Sequence, residues 1–126
     1  MRLALAFVLS LSLFACKKKG PQPTLPPYPG AQRMAHGDTV ELPQGTLFHT
    51  RQRTMDHAGQ VMTFYAPEME RRGARRDGFG FQHENMARVQ DGASAKDPSQ
   101  PGVTLTVEES DRETVIEAWE MVPKAP

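Results

Sequence analysis

The side chains able to do chemistry in this chain are few and scattered. Its four histidines, His36, His49, His57 and His83, include no pair three or four residues apart, the spacing at which one helix face presents two metal ligands. A metal or hydrolytic site would have to assemble in space, with His49, His57 and Glu84 as the candidates. No Gly-x-Ser-x-Gly and no phosphate loop occurs, and Gly78-Phe79-Gly80 is only a fragment of a glycine-rich loop. Glu108 and Glu109 are adjacent, so on a strand they point to opposite faces and cannot share a proton as a catalytic pair. The densest charge is cationic. Arg71, Arg72, Arg75 and Arg76 offer guanidinium forks that match phosphate or carboxylate, a candidate patch for an anionic partner such as lipid headgroups or an acidic protein face. Glu108, Glu109, Asp111, Glu113, Glu117 and Glu120 load the C-terminal stretch, and the two sets also suit one solvated surface whose halves offset each other.

The remaining reactive group is a single cysteine, Cys16, at the end of Leu13-Phe14-Ala15-Cys16. Met1 and Arg2 give a positive start, and residues 3–14 are apolar except for Ser10 and Ser12. Twelve helical residues rise about 18 Å, short of the ~30 Å hydrocarbon core, so this run does not span a bilayer. A positive start, a short apolar run and a small residue before the cut mark a secretory signal peptide. Three lysines follow at once, an abrupt end for a core helix. The pattern resembles a bacterial lipoprotein signal, with Leu13, Ala15 and Cys16 at the lipobox positions and Phe14 where a small residue is usual. The resemblance implies cleavage between Ala15 and Cys16, a thioether-linked diacylglycerol on Cys16 and an acylated amine. Several acyl chains, at about 0.8 kcal/mol per buried CH₂, anchor durably where one is marginal. Lys17, in place of Asp, points by resemblance to enteric sorting toward the outer membrane, facing the periplasm.

Discounting residues 1–15 removes only Arg2 among the charges, so a chain with 15 basic and 15 acidic residues becomes slightly acidic, with no excess that points to nucleic acid. About 110 residues then remain, enough for one modest domain. With Cys16 lipidated no thiol is left for a disulfide, a metal site or a nucleophile. No cofactor is expected, and the pattern fixes no oligomeric state. Residues 16–30 read as the lipidated cysteine and a tether: three lysines suited to anionic headgroups, then Pro21, Pro23, Pro26, Pro27 and Pro29. Proline at this density favours polyproline II at roughly 3.1 Å per residue, a semi-rigid spacer reaching about 40 Å by Gly30. The same stretch would also suit a proline-rich ligand segment.

The folded part is expected over residues 31–122. Residues 38–42 and 46–52 alternate, with Pro43-Gln44-Gly45 between them as turn chemistry, which predicts a hairpin. Leu47, His49 and Arg51 share one face; Thr46, Phe48 and Thr50 share the other. Ala58, Val61, Tyr65 and Met69 recur at helical spacing, widened by Met62 and Phe64. Asp56 is the expected N-cap, Arg71 and Arg72 suit the negative end of the dipole, and Gly73 is the natural stop. Pro67 predicts a kink or break, and Gly59 weakens the first turns. Residues 78–81 and 86–90 read as strands about a turn at Glu84-Asn85, and 91–102 as a mobile surface loop. Residues 103–109 alternate cleanly. Residues 114–122 place Val115, Glu117, Trp119 and Met121 on one side and Ile116 and Ala118 on the other. A helix would gather Val115, Ile116, Trp119 and Val122, but pairing across the short turn at 110–113 favours a hairpin.

From Tyr28-Pro29-Gly30-Ala31 through a threonine-rich strand to Asp56, Val61-x-x-Phe64-Tyr65 and Met69-Glu70-x-x-Gly73, the chain resembles a family of small bacterial lipoproteins and envelope proteins. The resemblance spans residues 28–73 and implies a helix packed on an antiparallel sheet, in proteins without a defined activity. Ala74 stands where that family has tryptophan, a contact that Trp119 is the candidate to replace. The expectation is an α+β domain, one main helix on an antiparallel sheet of about four to six strands. Its expected role is a lipid-anchored envelope protein that acts by binding or assembly on an envelope partner, without catalysis. A small periplasmic hydrolase or metal-dependent enzyme is the alternative, and a purely structural spacer a third reading.

Overall fold

Ten strand residues in a row, β3 (Gly45–Thr54), form the spine on which the other elements are laid. The computed structural model describes residues 21–34, 39–90 and 92–125. Leu13 to Cys16, the leader before them, Lys17 to Lys19, His36 and Asp38 lie outside the described residues. β3 pairs antiparallel along its whole length with β9 (Thr114–Pro123), which in turn pairs with β8 (Gly102–Glu109). β1 (Gln32–Arg33) and β2 (Thr39–Leu42) both line the outer edge of β3. On the far side β5 (Gly80–Gln82) joins β8, and β4 (Arg75–Arg76) closes the edge. The result is a seven-stranded antiparallel sheet, with a separate hairpin of β6 (Met86–Val89) and β7 (Gly92–Ala95).

Among the described residues the architecture is α+β with one helix and nine strands, more than the four to six expected. The surplus consists of strands of two to four residues, too short for alternation to show in sequence. β7 is the clearest correction. Residues 92–95 were expected in a mobile loop, yet they pair with 86–89, so β6 turns back on β7 and not on β5. The 114–122 run is strand, with its two sides as expected, and Ser110 closes the turn by accepting and donating hydrogen bonds with Glu113.

α1 (Ala58–Arg71) lies on one face of the sheet. Its buried stripe of Ala58, Val61, Met62, Tyr65 and Met69 meets Val103, Leu105, Val107, Ile116 and Ala118. Val61, Met62 and Met69, each 3 % exposed or less, contribute about 1.5–3 kcal/mol apiece. With Tyr65 they outweigh the ~3 kcal/mol of an interior proline and the ~1 kcal/mol of Gly59. The helix accordingly runs through Pro67 without the expected break. Pro67 and Thr63 are both exposed, so the Thr63 carbonyl that proline leaves without a donor meets water. Gly73 stops the helix at φ 80°, a left-handed conformation that costs glycine little.

The N-cap is His57, not Asp56. Glu109, reaching from the end of β8, accepts the Ala58 N–H at 2.7 Å, while the Gln60 side chain accepts the His57 N–H at 2.9 Å. Asp56 is drawn away by the Tyr28 hydroxyl, which donates to it at 2.6 Å. Gly45 also departs from its expected role. The turn is Pro43-Gln44 alone, and Gly45 opens the strand, where a Cβ would press on Val122 O at 2.8 Å and Pro98 O at 2.9 Å.

The β6–β7 hairpin covers part of the opposite sheet face. Met86 and Ala93 pack there with Leu47 and Met121, joined at the rim by Leu42, Ala95 and Trp119. Trp119 therefore does not fill in for the tryptophan missing at Ala74. It faces away from the helix, and Ala74 is itself buried in the helix-side core.

The proline-rich segment is sewn onto the domain from Thr24 onward. Glu120, 4 % exposed, accepts from the Thr24 and Leu25 N–H groups at 3.0 Å and from the Thr24 hydroxyl. The Tyr65 hydroxyl donates to Pro26 O at 2.8 Å, and Tyr28 N–H donates to Gln52 Oε1 at 2.8 Å. Tyr28 itself is buried in the helix-side core. The packing thus reaches back into the stretch read as spacer, which shortens the part of it free to extend.

Candidate functional site

Because β3 and β9 pair in register, their outward side chains meet as three cross-strand couples: Leu47 with Met121, His49 with Trp119, and Arg51 with Glu117. Each suits the next. The Leu47–Met121 end is buried under the β6–β7 hairpin. In the middle, the His49 and Trp119 rings stack at 3.9 Å and 6°. His49 Nε2 lies 2.9 Å from Glu117 Oε2, and Arg51 Nε lies 3.3 Å from the same oxygen. One carboxylate oxygen therefore orients both an imidazole and a guanidinium.

Where the hairpin stops covering the sheet, a cleft of about 320 Å³ opens, lined by Arg51, Arg88, Gly92, Thr104, Thr106, Glu117 and Trp119. The Trp119 ring is stacked on His49, and it borders Gly92, where an added Cβ would sit in ordinary contact with the indole edge at 3.5 Å. Arg51 and Arg88 keep 43 % of their side chains exposed, and Glu117 keeps 38 %. Thr104 is tied inward, its hydroxyl donating to Phe81 O at 3.2 Å. The cleft thus combines a held aromatic edge, two guanidinium groups and one carboxylate. That set suits a polar ligand or peptide segment carrying both an anionic and a donor group.

The histidines go to separate places. His49 stacks on Trp119 of the cleft, His57 caps the helix with Nδ1 3.2 Å from Glu109 Oε1, and His83 Nδ1 accepts the Asn85 N–H at 3.0 Å. Glu84 follows β5 and does not join His49 or His57, and among the described residues no three side chains of metal-binding type gather.

The arginines divide as well. Arg72 turns inward, its side chain 19 % exposed, with Nε 2.8 Å from Glu68 and Nη1 3.3 Å from Glu120. Arg71 also bonds to Glu68 but keeps 69 % of its side chain exposed. These two guanidinium groups hold the Glu68 carboxyl below the usual carboxylate range. Arg75 and Arg76 are exposed on the edge strand and make no ion pair with any described residue. Of the four, three point outward.

Three acidic residues that read as surface charge are structural. Glu109 holds the helix start, Glu117 orients the cleft wall and Glu120 pins the N-terminal segment. The Ala58 N–H keeps the Glu109 carboxyl below its ordinary value. The Asp56 carboxylate accepting its proton pushes the Tyr28 phenol up to about 12, and burial raises Tyr65. The cleft was missed in sequence because it depends on register. The signal that could have found it is the complementarity of all three couples once residues 45–54 and 114–123 are paired.

No protein-family model, curated protein or solved structure matches this chain. Among the described residues no helix is long and apolar enough to cross a membrane.

Proposed function

We propose that this chain is a lipid-anchored protein of the bacterial envelope, fixed through acylated Cys16 after cleavage behind Ala15, that acts by binding a partner and not by catalysis. The anchor places it on the outer membrane, facing the periplasm. The membrane half of this reading rests on the leader and the Leu13-Phe14-Ala15-Cys16 pattern. The observation that carries the binding half is the cleft beside Trp119. Its indole is held by the His49 stack, while Arg51, Arg88 and Glu117 stay partly exposed, so contacts can form with little reordering of the wall.

The test is photocrosslinking in living cells from a reactive residue placed at Thr106. The expected result is a discrete crosslinked envelope protein, lost when Arg51 and Arg88 are both replaced by glutamine. Crosslinks that are absent, or that persist undiminished in the double variant, contradict binding at this cleft.

A further inference from the structure

The N-terminal segment leaves the domain at one defined place. Thr24 and Leu25 are fixed on Glu120, beside the C-terminal turn of α1, and Thr24 shares a cleft there with Arg71, Arg72 and Pro123. Behind Thr24 the path is secured again at Pro26 and Tyr28. Seven residues lie between Cys16 and Thr24, eight steps along the chain, and a fully extended chain spans at most 3.3–3.6 Å per step, so the cysteine lies within roughly 29 Å of this point. A spacer free up to Gly30 would have let the domain hang farther off and tumble. Fixed at Thr24, it can bring only this end to the bilayer without stretching the connection fully.

The same end carries the outward cations. Arg71 terminates the helix with its side chain 69 % exposed. Two residues past the helix stop, Arg75 and Arg76 stand exposed with no carboxylate partner among the described residues. Of the nearby acids, Glu68 is engaged by Arg71 and Arg72, Glu120 by the segment and Arg72, and Asp77 by Arg88 at 3.6 Å, while Glu70 stays exposed. An anionic headgroup layer meets guanidinium groups there and few competing carboxylates.

We infer that this end of the domain, presenting Arg71, Arg75 and Arg76 beside the exit of the N-terminal segment, docks on an anionic lipid surface. Docking fixes the domain's orientation on the membrane. The inference rests on anchoring at Cys16, and its test separates the two.

Protein expressed with its own leader and purified from bacterial membranes is weighed intact and placed in vesicles whose headgroups carry a dansyl label. Trp119, the single tryptophan, is the energy donor. If the mass shows a free thiol, the anchoring reading fails. The same chain coupled through Cys16 to a maleimide lipid then still decides the docking. The expected result is stronger energy transfer on anionic than on zwitterionic vesicles. R71Q/R75Q/R76Q should remove that difference, the docked-to-undocked ratio falling about five-fold per arginine lost. Inserting about ten Gly/Ser residues between Lys19 and Gly20, which leaves the domain untouched, should lower transfer on zwitterionic vesicles. Equal transfer from the parent and the triple variant on anionic vesicles overturns docking. Transfer unchanged by the insertion overturns the short reach.

Discussion

Replacing Glu120 by glutamine tests whether the N-terminal segment is part of the fold. The residue is 4 % exposed, and its carboxylate accepts from two backbone N–H groups at 3.0 Å, from the Thr24 hydroxyl, and from Arg72 at 3.3 Å. Glutamine keeps the shape but offers one acceptor oxygen, and turns an NH₂ toward groups that are all donors. Hydrogen bonds to a charged acceptor are worth about 1.5–3 kcal/mol each, and an imperfectly satisfied buried donor costs about 1–3 kcal/mol. Arg72 keeps Glu68 at 2.8 Å, so it is not orphaned and the loss concentrates on Thr24 and Leu25. The expected destabilisation is about 2–4 kcal/mol. At an m-value of about 1.5 kcal/mol per M, the urea midpoint falls by roughly 1–3 M. Trp119 fluorescence reports the transition, and amide exchange reports whether the Thr24 and Leu25 N–H groups lose protection. The milder T24V, which removes only the hydroxyl, should cost about 1 kcal/mol. A midpoint for E120Q within about 0.3 M of the parent, with both amides exchanging as before, refutes the reasoning.

Other perturbations follow from the same contacts. Tyr28 should ionise near pH 12, because its proton is held by Asp56. Its folded value lies above the ordinary tyrosine value of about 10, so its contribution to stability is full below that pH and is lost as pH rises toward 12. Ultraviolet titration of Y65F, which leaves Tyr28 as the only tyrosine, checks this, and D56N should bring the transition down. Glu109 is shifted the other way, so the stability it lends is present above the ordinary carboxylate value and is lost as pH falls through its lower folded value. E109Q should flatten the acid limb of a plot of stability against pH, and an unchanged limb counts against the cap. G45A forces a Cβ onto Val122 O and Pro98 O, each under 3.0 Å away, and should cost about 1–3 kcal/mol in urea unfolding; an unchanged midpoint excludes the close approach.

What the sequence made legible is what local pattern encodes. Alternation assigned the faces of β3 and β9, and the 3.6-residue stripe from Ala58 to Met69 located α1, because each element buries one face against the sheet or under it. No break forms at Pro67, because packing of the buried stripe overrides propensity. The strand over 92–95 was hidden because Gly92-Ala93-Ser94-Ala95 has small side chains and no hydrophobic alternation. Its place comes from Met86 and Ala93 packing over Leu47 and Met121. Proline content predicts an extended shape for residues 21–30 but says nothing of their acceptors, Glu120 and Gln52, which lie far along the chain. The Trp119 cleft fell in the same class, since cross-strand couples follow from register and not from spacing.

The intact mass of the protein extracted from bacterial membranes bears most directly on its proposed role. The expected species lacks residues 1–15 and carries a diacylglycerol and an amide-linked acyl chain on Cys16. A full-length chain recovered from the soluble fraction, its cysteine still free to react with maleimide, would contradict it.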